Sequence, residues 1–356
     1  MHLDDSHFGT ARPLPAPLDR SKPVWVAPMA GGPSSPAFVI AAASLGHFSQ
    51  LAAGYKSAGA MIQEVDQVRK SGLELFGVNL FVPNPHPITA DAYDAYANAL
   101  RRTAHRLHYE GAPEKLREDD DDWEAKVAAL VAEPVPVVSF TFGLPSATVI
   151  DALHSVGSVL IQTVTSTSEA RQAEEAGVDV LAVQGYAAGG HSGIWNADAL
   201  PADIPLAVLV EQVAAAVSLP FVAAGGVATS ADVAALLCVG ASAVGVGTAV
   251  LRATESGASP LHKAALADRR YTVTAITRAF TGRPARALVN QFVVDHDAAS
   301  PSGYPALHHL TKPLRAAALA AGDASALNLW AGQRWETARD APLASILAAL
   351  VPDTTA

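Results

Sequence analysis

The chain has 356 residues, half of them hydrophobic and 16% charged, with a net charge of −10 and a single cysteine. That length is enough to bury a large core, as one barrel-sized domain with an appendage or as two domains. The acidic balance argues against nucleic acid as a partner. One cysteine rules out an intramolecular disulfide and a cysteine-based zinc site, and no apolar run reaches the roughly 18 residues of a membrane span.

Met1 to Ser21 is polar and proline-containing, without the basic start and apolar run of a signal peptide, so a soluble cytoplasmic protein is expected. Val24–Ala27 reads as a first short strand stopped by Pro28. Ser34 to Leu45 reads as a helix, with Ser35 as N-cap before Pro36. Ala60–Gln63 and Phe76–Phe81 are the next strand candidates, and residues 90 to 132 are mostly helical. The acidic run Asp119–Asp122 reads as a solvated loop with an N-cap before Trp123, and no metal site is expected.

Strand and helix then alternate. Strands are expected at Val135–Phe140, Ser158–Gln162, Val178–Val183, Leu219–Ala223 and Ala243–Gly247. Helices are expected at Ala147–Val156, Ser168–Ala176, Leu206–Val217 and Ser230–Val239, with Gly177 and Gly240 as stops. In the last of these helices Cys238 reads as a small core residue. Eight strands in such βα units predict an α/β fold, a TIM-type (β/α)8 barrel whose reactive groups sit at the strand C-termini. A doubly wound open sheet is the competing architecture.

Beyond Thr248 the pattern changes. Arg269 to Val294 predicts an added hairpin around Thr281-Gly282, and residues 295 to 311 read as loop. Pro313–Ala321 and Ala341–Leu350 read as helices closing the outer ring. The expected division is a barrel of residues 1–264 and 312–356 and a substrate-side cap of residues 265–311.

The strand ends carry the chemistry. Ala188-Gly-Gly-His191 puts a histidine where a ligand can approach a glycine backbone, on a group that titrates near neutrality in water. Gly225 and Gly226 end one late strand, and Gly247 and Thr248 end the next. In a barrel this is the common place for a phosphate, held by backbone N–H groups and a helix N-terminus. Neither a dinucleotide G-x-G-x-x-G after the first strand nor a P-loop is present, which favours a mononucleotide-type cofactor. Ala27–Gly32 offers a small, proline-fixed backbone to a flat ring. Asn79 and Gln184 are polar in strands expected to be buried and need partners, from the backbone or from a ring edge.

Taken in order, Ala27-Pro-Met-Ala-Gly31, Phe76–Phe81, Val137–Pro145, Ala188–Gly193, Ala223–Gly226, Gly247-Thr-Ala249, Tyr304-Pro305 and Leu310–Arg315 resemble the nitronate monooxygenase family, most closely its first class. The resemblance runs from about residue 22 to about residue 335. It implies a barrel holding non-covalent FMN that oxidises alkyl nitronates, and nitroalkanes as a further class, with O2 and without NAD(P)H. It also implies FMN contacts from Met29, Asn79, Gln184, Gly190, Gly225, Gly226, Gly247 and Thr248. His191 would be the base, and Tyr304 and Lys312 would line the substrate side. The chain departs from the family's class-one pattern at Thr141, where a histidine is usual. Thr141 is expected to face the substrate and make the pocket less cationic.

Other functions stay open at this point. One is an FMN enzyme reducing an enoyl-thioester or quinone with NAD(P)H. Another is a flavin-binding barrel without turnover. A third is a barrel aldolase or isomerase with Glu64 as its strand-end carboxylate. Homo-oligomerisation is also left open.

Overall fold

The barrel strands are short apolar runs buried on both faces, as parallel strands between helices must be. The computed structural model describes residues 11–84, 86–111 and 115–352. In chain order the strands are β1 (Lys22–Val26), β2 (His47–Ala52), β3 (Gly77–Phe81), β4 (Val137–Thr141), β5 (Val159–Val164), β6 (Val180–Gln184), the two-residue β7 (Gly190–His191), β8 (Phe221–Ala224) and β9 (Ala243–Val246). All of them except β7 form one closed parallel barrel, sealed where β9 pairs with β1 through Val24 and Val244. The chain therefore folds as a (β/α)8 barrel.

Two sequence expectations fail in the first quarter of the chain. Ala60–Gln63 is not a strand; it lies in a helix, Ala58–Lys70, started by the Ser57 side chain accepting from the Ala60 amide. Met61, Val65 and Val68 are buried at helical spacing. The strand in that place is β2, whose His47, Ser49 and Gln50 break up its apolar run although all six of its residues are buried. Glu64 is thus on a helix, paired with Lys56 at 2.6 Å, and is no strand-end acid.

The connecting helices are α1 (Pro36–Ser44), α2 (Ala58–Lys70), α3 (Ala90–Ala99), α4 (Arg101–Arg106), α5 (Trp123–Ala132), α6 (Ala147–Ser155), α7 (Thr167–Glu175), α8 (Leu206–Ala216) and α9 (Ser230–Cys238). Ser35 caps α1 as expected, accepting from the Phe38 amide. Asp122 stands at the N-cap position of α5 without capping it; its carboxylate accepts from the Ala58 amide at the start of α2. Asp121 accepts from the Tyr55 amide and pairs with buried Lys126. Cys238 is exposed on α9 and not a core residue. Among the described residues no helix is long and apolar enough to cross a membrane.

After β9 come α10 (Pro260–Ala265), the antiparallel hairpin β10 (Thr274–Thr277) and β11 (Ala285–Leu288), and α11 (Gln291–His296). The long α12 (Ala306–Ala320) and α13 (Leu343–Ala348) follow. Residues 306–311 are therefore the first turns of α12 and not loop. Its buried side chains join a second core with Tyr96, Phe280, Phe292 and Leu329, apart from the core between barrel and outer helices. α13 packs against α1 in the outer ring, and α12 packs against α3.

Inside the barrel, side chains alternate between faces. Trp25, Phe48, Val137, Ile161, Val180 and Val222 fill the lower interior, and Leu18 plugs its base. The same inward register continues upward through Ala27, Asn79, Thr141, Thr163, Ala182, Gln184, Ala224, Gly245 and Gly247, which all line one cavity. TIM-type interiors are normally packed with bulky branched residues. Here the top layer is small or polar, and space remains above it.

Candidate active site

That space is a cavity of about 490 Å3 at the C-terminal ends of the strands, within the usual range for small-molecule sites. Met29, Asn79, Thr141, Gln184, Gly190, His191, Gly225, Gly226, Gly247, Thr248 and Lys312 all line it. Of the site residues expected from sequence, only Tyr304 does not. It is 4% exposed and packs behind the wall, its ring 5.5 Å from Phe142 and 6.3 Å from His191. Lys312 stands exposed on α12, which also brings His308 and Arg315 to the wall.

Polar groups on the floor hold one another. The Asn79 amide nitrogen donates to the Ser139 hydroxyl at 2.8 Å and to the Thr141 hydroxyl at 3.1 Å. Gln184 is braced across the turn that carries His191. Its amide nitrogen donates to the His191 carbonyl at 3.1 Å and its oxygen accepts from the Gly193 amide at 2.6 Å. The strand-end polar residues therefore have structural partners as well as a face on the cavity.

The glycine end is shaped for close approach. Gly225 has φ +125° and Gly226 φ +76°, conformations that side chains other than glycine rarely adopt. A Cβ on Gly225 would lie 3.0 Å from the Gly185 carbonyl oxygen. At the start of α9 Thr229 and Asp232 form a capping box that engages the amides of Thr229 and Asp232, and Asp232 also accepts from the Ala228 amide. The Gly225–Gly226 and Gly247–Thr248 backbones line this end of the cavity together with Arg334, which is held by Asp232 at 2.9 Å.

His191 lies in β7, which pairs with β11 of the hairpin and so fixes the imidazole from outside the barrel. Its Nε2 is 2.9 Å from the Thr281 hydroxyl, and Trp330 and Phe142 flank the ring at 5.1 and 5.6 Å. Burial, with Arg283 and Arg315 nearby, lowers its pKa to about 3. His191 is thus neutral throughout the physiological range and does not titrate near neutrality, contrary to the expectation from sequence. His308 is likewise held well below the usual histidine value, by burial and then by Arg315. Arg283 and Arg315 are themselves lowered to about 10 by burial.

Several wall residues carry no sequence signal. Tyr55 and Phe142 line the cavity with φ of +69° and +82°. Such angles are outliers for bulky residues and collect at functional sites. The Tyr55 ring stacks on His308 at 4.0 Å. Arg283 holds the Phe142 turn, donating to the carbonyls of Phe142 and Ile194 with its guanidinium 4.0 Å from the Phe142 ring centroid. A sequence scan for bulky residues just after glycine or at strand ends finds Tyr55 and Phe142 but cannot single them out. Among the described residues, no aspartate or glutamate lines the cavity.

The nitronate monooxygenase family model matches residues 17–353. A Staphylococcus aureus (strain Newman) protein named "Probable nitronate monooxygenase" is 33% identical over 334 residues, covering 92% of this chain and 93% of the relative. Among solved structures, a nitroalkane oxidase from Streptomyces ansochromogenes shares 44% identity at a TM-score of 0.88, covering 94% of this chain and 96% of that one. FabK from Thermotoga maritima shares the fold at 24% identity and a TM-score of 0.72, covering 94% of this chain and 92% of that one. With a family match over nearly its whole length, the chain is an oxidoreductase that belongs to the nitronate monooxygenase family.

Proposed function

We propose that this protein binds FMN non-covalently and oxidises alkyl nitronates, and the parent nitroalkanes, with O2 to a carbonyl product and nitrite, without NAD(P)H. The observation that carries this is a cavity with a small-residue floor whose charged lining, among the described residues, is basic: Lys312, Arg315 and Arg334, with no carboxylate. The floor admits a flat ring, and the basic walls suit one anion at the glycine end and another beneath α12. The Gly225 cradle, which a Cβ would fill, fits a backbone-held phosphate. The nitroalkane oxidase neighbour supports the nitro substrate class.

In this scheme Gly225, Gly226, Gly247 and Thr248 hold the phosphate, while Met29, Asn79, Gln184 and Gly190 border the ring. FMN, when bound, supplies the redox chemistry between the nitronate and O2. The protein supplies position and proton handling. A nitroalkane loses its α-proton to neutral His191: the C–H bond breaks, an N–H bond forms, and the electron pair moves into the nitronate. Lys312 and Arg315 attract the resulting anion, or one that arrives preformed. We also propose that α10–α12 and the β10–β11 hairpin together form the substrate-side cap.

Two measurements test this. Flavin released by acid should run as FMN on chromatography, and purified protein should consume O2 and form nitrite from ethyl nitronate without nicotinamide. Recovery of FAD, or no uptake of FMN by the purified protein, would remove the phosphate assignment. Anaerobic bleaching by NADH or NADPH, with no turnover of nitronate, would favour a reductase instead.

Thr141 provides a further check, since it lines the cavity between Asn79 and Thr163. In Thr141→His the imidazolium fraction rises as pH falls through a histidine pKa of about 6.5. Attraction for an anionic substrate rises with it, so KM for ethyl nitronate is expected to drop relative to the parent at low pH, with FMN content unchanged. Steady-state constants matching the parent from about pH 5.5 to 8, on both sides of that pKa, would show that position 141 does not face the substrate.

A further inference from the structure

Thr281 sits at the tip of the cap hairpin, 2% exposed, with its hydroxyl 2.9 Å from His191 Nε2. Two longer contacts bear on the direction of that bond. The Arg283 amide lies 3.4 Å from the Thr281 oxygen, as a donor to it. The Arg283 carbonyl lies 3.5 Å away, as the acceptor for the hydroxyl proton. A buried carbonyl without a donor is costly. A hydroxyl proton directed at the Arg283 carbonyl satisfies that group and leaves the Thr281 oxygen to accept from His191.

We propose that Thr281 is a positioning residue that keeps the His191 proton on Nε2 and leaves Nδ1 as the free lone pair facing the cavity, an assignment that rests on His191 acting as the base. A neutral imidazole has one donor and one acceptor nitrogen, and the partner of one decides the role of the other. With the opposite tautomer, Nδ1–H would face the cavity and the ring could donate a hydrogen bond but not remove a proton. The backbone holds the hydroxyl in place. Gly282 turns at φ +77°, and a Cβ there would lie 2.6 Å from the Gly303 carbonyl carbon. The Ser192 amide donates to the Pro284 carbonyl at 2.8 Å, tying the histidine loop to the same turn.

The test reads the tautomer directly. Protein labelled with 15N-histidine is examined by long-range 1H–15N correlation at neutral pH, with His191→Asn used to assign the His191 signals. The parent is expected to show a protonated Nε2 and a bare Nδ1. Thr281→Ser should keep that pattern and Thr281→Val should shift proton density to Nδ1. In parallel, Thr281→Val should lower kcat for nitroethane roughly tenfold, less than the loss of about 100- to 10,000-fold that removing a general base brings, with little change for ethyl nitronate. Thr281→Ser should restore it. A parent spectrum with the proton on Nδ1 overturns the proposal, and so does a Thr281→Val spectrum unchanged from the parent. If Thr281→Val does not fold, the parent spectrum and Thr281→Ala decide. Failure of the parent to turn over either nitro compound would count against the nitronate reading and leave the tautomer result standing.

Discussion

His191→Asn is expected to lower turnover of nitroethane by about 100- to 10,000-fold, the usual range for a general base. Turnover of preformed ethyl nitronate should fall far less, because no C–H proton must be removed from it. Flavin content should stay near that of the parent, since the ring nitrogens do not brace the turn; Gln184 binds the His191 backbone carbonyl. The pH profile follows from the depressed pKa. A base works only when unprotonated, and a pKa of about 3 keeps His191 neutral well into the acid range. The parent's kcat/KM for a nitroalkane should therefore show no acid limb near the ordinary histidine pKa of about 6.5. So low a pKa makes the imidazole by itself a weak proton acceptor. Proton transfer creates an imidazolium beside an anionic nitronate, and that pairing offsets the cost of burying the charge. Equal losses on both substrates would show that His191 orients the anion and is not the base. No loss on either would remove it from the chemistry.

Gly189→Ala is expected to cost about 3 kcal/mol of stability, toward the upper end for overpacking, and to deplete bound flavin. A Cβ at this position would lie 2.4 Å from the Gly332 amide nitrogen and 2.6 Å from the Ala331 carbonyl carbon. Both are backbone atoms and cannot swing aside. The strain would fall on the contacts that close the glycine end, where the Gly332 amide donates to the Thr248 hydroxyl at 2.9 Å and the Gln333 amide to the Ala187 carbonyl at 3.0 Å. Thermal unfolding and the visible flavin absorbance of purified protein give both readouts. Gly59→Ala is the control, because nothing lies within 4 Å of its Cβ position in α2. It should stabilise by about 0.5–1 kcal/mol, as a helical glycine replaced by alanine does. A Gly189→Ala protein with the parent's melting temperature and full flavin would mean that the contact with residues 331–332 is loose.

Most of the barrel is legible in the sequence because parallel strands announce themselves as apolar runs. β3 to β6, β8 and β9 fall within a residue or two of where those runs place them. β2 is hidden because His47, Ser49 and Gln50 interrupt its apolar character, yet His47 is buried and bonded to the Val24 carbonyl at 2.8 Å. The false strand at Ala60–Gln63 restores the count of eight by accident. The first turns of α12 are hidden because residues 295–311 read as loop, with His, Pro, Ser and Gly among them, although His308 is buried against Tyr55. At the site, glycines and polar side chains at strand ends stand out because each violates a local rule for buried strands. Thr281 and Trp330 violate none. They reach the cavity only through the folding of distant segments, and nothing near them in the chain marks that destination. Tyr304 shows the converse: it carries a family signal, yet packs behind the cavity wall.

The pairing of β7 with β11 has a consequence for how the enzyme admits its substrate. Gly190 and His191 share backbone pairing with Ala285 and Arg286, so the hairpin cannot swing away without carrying the histidine with it. The cavity lining is exposed instead at another rim, where Lys312, Ala316 and Leu319 stand along one side of α12 and Gly31 is exposed. Amide hydrogen exchange separates the two regions, because paired backbone opens far less often than a rim that must move. The amides of β7 and β11 should be protected together, on a timescale set by the hairpin as a unit. Those of the Gly31 turn should exchange sooner and slow when the cavity is filled.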